Sequence, residues 1–125
     1  MLIESHFHAP WWARNPHLQT ILPKWLRRAP ARFVAERFEL ADGDFVDLAW
    51  SGDISQGERP LIVLFHGLEG SIHSHYAKGV FAHLQRQGDE AVLMHFRGCS
   101  GEPNRLLQAY HSGAIEDAQA LIAEL

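Results

Sequence analysis

"PLIVLFHGLEGS", residues 60–71, carries the clearest structural signal in the chain. Five apolar residues, Leu61–Phe65, run without interruption and stop at His66-Gly67. A strand with one wet face alternates apolar and polar residues, whereas a run apolar on both faces reads as a central strand covered by helices on both sides. Downstream, Val80, Phe81 and Leu84 recur at helical spacing within Tyr76–Gln87, and Gly88 is the helix stop. Ala91–Phe96 is a second apolar strand. Strand, helix and strand in this order make a βαβ unit, with a parallel pair and a right-handed crossover. The fold class is therefore α/β, and the parallel strands are expected to be neighbours.

Upstream, "RFVAERFEL" (32–40) reads as a strand and "ADGDFVDLAW" (41–50) supplies an Asp42-Gly43 turn followed by a second strand, Phe45–Trp50. Asp-Gly between two such runs is a hairpin signal. Residues 51–59 are polar, with two glycines, and read as a loop. Residues 1–31 form an irregular Pro/Trp-rich lead: Pro10, Pro16, Pro23 and Pro30 forbid a long helix. A short helix, Pro16–Trp25, fits there with Asn15 as its cap. Trp11, Trp12 and Trp25 imply that the lead lies against the domain body. Beyond the second apolar strand come a glycine-rich loop, Arg97–Asn104, and a helix from an Ser112 N-cap to Leu125, with Ala118, Leu121, Ile122 and Leu125 on one face. The domain division is thus 1–31 for the lead and 32–125 for a partial α/β domain. Its two helices are expected on opposite faces of the sheet.

The 125 residues suffice for one domain, and an apolar share of 46% suffices for a core. The net charge of −4 argues against nucleic acid as a partner. That charge is unevenly spread. Residues 1–35 hold five basic residues against Glu4, for +4; the rest holds 6 basic and 14 acidic, for −8. A single cysteine, Cys99, excludes an internal disulfide and fits a reducing compartment. The longest wholly apolar run has five residues, far short of a membrane span, and "MLIESHFHAPWW" is not a secretory signal. A cytoplasmic location is expected.

In an open α/β sheet, ligands bind beyond the carboxyl ends of the strands, where "HGLEGS" and "RGCSGEPN" both lie. On residues alone, His66-Gly67 has two readings. One is a tight turn with a capping histidine. The other is a loop whose backbone N–H groups meet an oxyanion or a phosphate.

The wider pattern narrows the choice. "VLFHGLEGS", then "VLMHFRGCSGEPN" and "YHSGAIEDA", with "NPHLQTILPKWLRR" and "LADGDFVDLAW" before them, resembles the α/β-hydrolase fold, and within it the YheT-like branch of predicted hydrolases and carboxylesterases. The resemblance covers nearly the whole chain. It implies that the loop after the third strand supplies part of an oxyanion hole, with the backbone N–H of Leu68 as donor and His66, Gly67 and Glu69 as candidate substrate-lining residues. It also implies a Gly-x-Ser-x-Gly elbow, an acid and a histidine, in that order. No such elbow is present: "GCSG" (98–101) has the wrong spacing and follows the fourth strand. The family's elbow comes one strand later, beyond Leu125. The chain therefore reads as the N-terminal fragment of a serine hydrolase, truncated before the nucleophile elbow, with no catalytic triad residue of its own.

Other residues receive plainer readings. His73 and His75, or His66 and His95, lack metal-ligand spacing, so neither metal nor cofactor is expected. Cys99 reads as a loop or core thiol, Glu116-Asp117 as helix-terminal charges, and Glu69 as either a substrate contact or a structural loop residue. The implied partner is a small ester in the intact parent. The edge of strand Leu61–Phe65, without its fifth-strand neighbour, is expected to promote self-association and to leave Leu121, Ile122 and Leu125 poorly buried. The alternative function is a non-catalytic binding module that rests its basic, Trp-rich lead on a membrane surface or a partner protein.

Overall fold

Antiparallel and parallel pairing meet in one four-stranded sheet. The structure, a computed structural model, describes residues 7–26, 30, 32–52 and 59–125. Its strands are β1 (Val34–Glu39), β2 (Phe45–Trp50), β3 (Leu61–Phe65) and β4 (Glu90–Met94). Its helices are α1 (Pro16–Leu26), α2 (His75–Gln87) and α3 (Glu116–Glu124), with a short 3-10 turn at Trp11–Ala13. The sheet order is β1-β2-β4-β3. Residues 1–6, 27–29 and 31 of the expected lead, and 53–58 of the expected polar loop, lie outside the described residues.

The hairpin forms where Asp42-Gly43 placed it. Gly43 N–H returns to Leu40 O at 3.0 Å, and Leu40 N–H donates to Asp44 O at 2.8 Å. Gly43 at φ 86° takes the left-handed position that closes a three-residue loop. The strands pair from Val34↔Trp50 to Glu39↔Phe45. β2 then pairs antiparallel with β4, Leu48 facing Met94. β3 and β4 are parallel neighbours, Leu61↔Glu90 through Phe65↔Met94.

Alternation along the central strands sends side chains to two cores. Val46, Leu48, Val92, Met94 and Leu121 form one, under α3. Ala49, Ala91, Leu93, Ile72, Ala77 and Phe81 form the other, under α2. The helices therefore lie on opposite faces, as expected. Full burial of side chains such as Phe81 and Leu93 stabilises the fold by about 1.5–3 kcal/mol each. β4 is buried along its whole length. β3 is only half-buried, because among the described residues it has a strand neighbour on one side alone.

Boundaries differ from the sequence reading where side chains take over backbone groups. β4 ends at Met94, two residues early, because Phe96 N–H donates to the His66 ring at 3.0 Å instead of continuing the ladder. α2 stops at Gly88, φ 74°, with Asp89 N–H returning to Leu84 O. Ser112 is not the cap of α3. Residues 111–114 form a turn held by His111, whose carbonyl accepts from Ala114 and whose ring accepts from Gly113, so the helix starts at Glu116. Leu121 is buried, against expectation, while Ile122 and Leu125 are exposed.

The lead is not wholly irregular. α1 is capped as expected, Asn15 Oδ1 accepting from His17 N–H at 2.9 Å. Its tryptophans do not lie against the body: Trp11 is 82% exposed and Trp25 70%.

A buried ionic cluster ties the loop after β4 to the hairpin turn. Arg97 donates two bonds to Asp117 (2.6 and 2.8 Å) and one each to Asp42 (2.7 Å) and Asp44 (3.1 Å). Asp44, fully buried, also accepts from Asn104 Nδ2 and from the N–H groups of Arg105 and Phe45. Burial alone would raise the Asp44 carboxyl. The bonds from Arg105 N–H, Asn104, Phe45 N–H and Leu106 N–H outweigh it and hold the group down to about 2, below the ordinary 3.8. A lowered folded pKa stabilises above the unfolded value and is lost as pH falls through the folded one. The Asp44 contribution should therefore be complete above pH 4 and disappear toward pH 2. In acid titrations followed by circular dichroism, Asp44→Asn should be less stable than the parent chain at neutral pH, the gap closing below about pH 3. A gap independent of pH would remove the carboxylate as its cause.

Candidate functional site

Because β3 and β4 are parallel, their carboxyl ends deliver two loops to the same sheet edge. The histidines that end these strands do the same job. His66 Nε2 accepts from Phe96 N–H, so its ring proton is on Nδ1 and donates to Gly67 O at 2.7 Å. His95 Nε2 accepts from Ile72 N–H at 3.1 Å, and its Nδ1 donates to Asp47 O at 2.9 Å. Burial pushes the His95 imidazolium toward its neutral form. Each ring thus staples one loop to the other strand's end. The rings sit 6.1 Å apart.

The segment 66–70 is a turn, Gly70 N–H returning to Gly67 O at 2.9 Å. Glu69 occupies its third position at φ 49°, a left-handed conformation that a glycine more often takes. Two tyrosines grip this turn. The Tyr76 hydroxyl, from the first turn of α2, accepts from Gly67 N–H at 2.9 Å. The Tyr110 hydroxyl accepts from Glu69 N–H. Tyr110 is held in place by stacking on Phe96, 5.1 Å between centroids, with its edge relation to His66 alongside. Gly70 admits no side chain: a Cβ there would meet the Tyr76 hydroxyl at 2.3 Å and Gly67 O and His66 Cβ at 2.9 Å.

The hydrogen bonds leave one donor over. Of the four successive N–H groups from Gly67 to Gly70, three are occupied, and Leu68 N–H has no partner among the described residues. The Leu68 side chain is 90% exposed. A rigid turn with one unsatisfied N–H at a sheet's carboxyl edge is a hydrogen-bond donor to whatever anion or polarised carbonyl comes there.

The other candidates fall elsewhere. Ser100 bonds the Asp47 carboxylate, which Arg37 also holds at 2.9 Å. Both ring nitrogens of His95 are engaged with backbone groups, so His95 offers Ser100 no imidazole base. Burial pushes the Cys99 thiol up, and Tyr110 hydrogen-bonds it; it is not an activated nucleophile. Asp117 is more than a helix-terminal charge, being buried and paired with Arg97, whereas Glu116 is exposed. His73 packs edge-on to Phe33 and His75 to Tyr76. Among the described residues no three His, Cys, Asp or Glu side chains gather as a metal site.

Sequence reading found the turn but not its supports. Tyr76 and Tyr110 stand 9 and 41 residues from the groups they hold. Both lie within or beside the quoted motifs, yet nothing in a tyrosine's spacing announces a hydroxyl that accepts from a distant amide.

Comparison with known proteins finds relatives whose names include an esterase and a phospholipase. Over 107 residues the chain is 55% identical to "Putative esterase YheT" of Escherichia coli (strain K12), covering 83% of the chain and 31% of that protein. It is 27% identical to "Protein abhd-3.2" of Caenorhabditis elegans, over 99% of the chain and 34% of that protein. It is 23% identical to "Phospholipase ABHD3" of Mus musculus, over 97% of the chain and 31% of that protein. No family model matches, and no solved structure does. The chain spans about a third of the length of the curated relatives it matches. Among the described residues no helix is long and apolar enough to cross a membrane.

Proposed function

The chain belongs to the YheT-like branch of the α/β-hydrolases, and from that premise we propose that it carries the oxyanion loop of a carboxylic-ester hydrolase whose serine, acid and histidine come from the rest of the parent polypeptide. The observation that carries the reading is the N–H of Leu68, without a partner among the described residues, in a turn whose other three amides are tied down. In serine hydrolysis the nucleophile attacks an ester carbonyl and the carbonyl oxygen becomes an oxyanion. A preorganised donor aimed at that oxygen is worth about 3 kcal/mol in the transition state. The second donor of such a hole is the N–H following the nucleophile. His66 and Gly67 set the turn at the end of β3, while Tyr76 and Tyr110 keep it from turning its free amide away. Glu69, exposed and next in the chain to the proposed donor, is the candidate substrate contact. The substrate class is an ester of a small or acyl-chain acid, in keeping with relatives named as an esterase and a phospholipase.

Fluorophosphonate labelling, paired with hydrolysis of a short-chain nitrophenyl ester, tests this. The parent polypeptide should be labelled and active. The 125-residue chain should be neither. Labelling of the chain that disappears in Ser100→Ala would place the nucleophile within these residues and overturn the division of labour. An unlabelled, inactive parent would overturn the hydrolase reading itself.

A further inference from the structure

The lead carries a surface that the oxyanion loop does not explain. At 3.6 residues per turn, Leu18, Ile21, Leu22, Trp25 and Leu26 of α1 fall within an arc of roughly 140°. His17, Thr20 and Lys24 lie on the opposite side. In a body helix such a stripe is buried. Here Leu18, Ile21, Trp25 and Leu26 are exposed, and Trp11 and Trp12 extend the patch. Between Trp12, Leu22 and Leu26 lies an open apolar groove of about 410 Å³.

The charge around this patch selects among occupants. Residues 1–35 net +4, and the remainder nets −8. Arg14 and Lys24 have no acidic partner among the described residues. A second copy of the chain would bring the same positive charge to the patch, and its acidic body would have to meet an apolar stripe. An anionic lipid surface satisfies both features at once: tryptophans and aliphatic side chains enter the headgroup boundary, and basic side chains meet the phosphates.

We propose that α1 and the Trp11–Ala13 turn form a peripheral docking surface for anionic membranes. The inference is independent of the hydrolase reading, since vesicle binding reports on no ester cleavage. α1 lies flat, its apolar arc toward the acyl boundary and Lys24 near the phosphate plane. The oxyanion loop stays on the body of the protein.

Vesicle co-sedimentation tests it, with phosphatidylcholine alone and with phosphatidylcholine containing phosphatidylglycerol. It is run on the 125-residue chain and on the parent polypeptide. Both proteins should bind the anionic vesicles at least about tenfold better than the neutral ones and be released at about 1 M salt, where screening leaves a range of only about 3 Å. Tryptophan emission should shift to the blue and be quenched by brominated lipid. Lys24→Glu should lower partitioning about 25-fold, about fivefold for each unit of charge. Ile21→Asp should abolish the quenching while leaving the circular dichroism melt of the sheet unchanged. Equal binding to neutral vesicles, or salt-insensitive binding, would overturn the electrostatic part and with it the proposal. So would a parent that fails to bind where the chain succeeds, for then the rest of the polypeptide covers the patch. Absence of vesicle binding together with a dimer that Ile21→Asp dissociates, read by light scattering, would assign the face to self-contact instead.

Discussion

Replacing Arg97 with methionine is expected to destabilise the chain by about 3–5 kcal/mol, the cost of leaving buried carboxylates without their counter-charge. Arg97 is 4% exposed and bonds three aspartates, two in the hairpin turn and one in α3. With the guanidinium gone, Asp44 and Asp117 remain in the interior, Asp117 stripped of both its bonds. The loss is a large fraction of the 5–15 kcal/mol that holds an ordinary domain together. Arg97→Lys should recover only part of it, because an ammonium cannot make the two-pronged bond to Asp117. The double variant Arg97→Met/Asp117→Leu should be more stable than Arg97→Met alone, since removing both charges avoids the unpaired one. Urea unfolding of the four proteins is the measurement. A single variant within 1 kcal/mol of the parent would mean that water reaches the carboxylates and that the cluster is no anchor for the 97–106 loop.

In the parent polypeptide, Leu68→Pro should lower kcat by about 10²–10³, the effect of deleting one oxyanion donor. Proline removes the amide hydrogen and leaves the rest of the turn its three bonds, through Gly67, Glu69 and Gly70. The restriction proline places on the residue before it falls on Gly67, the residue best able to absorb it. Leu68→Ala keeps the amide and removes only an exposed side chain. It should stay within a few-fold of the parent. That contrast separates a backbone donor from a substrate-contacting leucine, which would show the reverse order. KM should change little in Leu68→Pro, because the donor acts on charge that develops only in the transition state. An unchanged kcat in a folded Leu68→Pro enzyme would remove this amide from the mechanism.

Much of the scaffold was legible in local signals. The Asp42-Gly43 turn, the apolar runs of β3 and β4, the stop at Gly88 and the cap at Asn15 are each written in a few contiguous residues. Each acts through the conformational limits of its own backbone. Parallel pairing of β3 and β4 followed as well, because a helix between two strands leaves no other short route. The proposal of Leu68 N–H as a donor came from the family resemblance, since nothing intrinsic to leucine marks its amide.

What local signals could not rank was burial. "LIVLF" and "AVLM" look alike, yet β4 is enclosed and β3 is half-open, because enclosure depends on how many strands stand alongside and not on a strand's own residues. Asp117 read as a helix-end charge until Arg97, 20 residues away, was brought against it. Nothing local singled out Asp44, beside the Asp42-Gly43 turn, although Asn104 and Arg105, 60 and 61 residues on, close over it. The lead shows the converse: its three tryptophans promised burial by composition, and all three are exposed. Backbone conformation is set within a few residues, so sequence determined the elements and the parallel pairing of β3 with β4. Charge pairing, hydroxyl-to-amide bonds and solvent exclusion act between groups that only the folded chain brings within about 3 Å, so the tyrosines' hold on the Gly67 and Glu69 amides and the Arg97 ionic cluster belong to the tertiary structure.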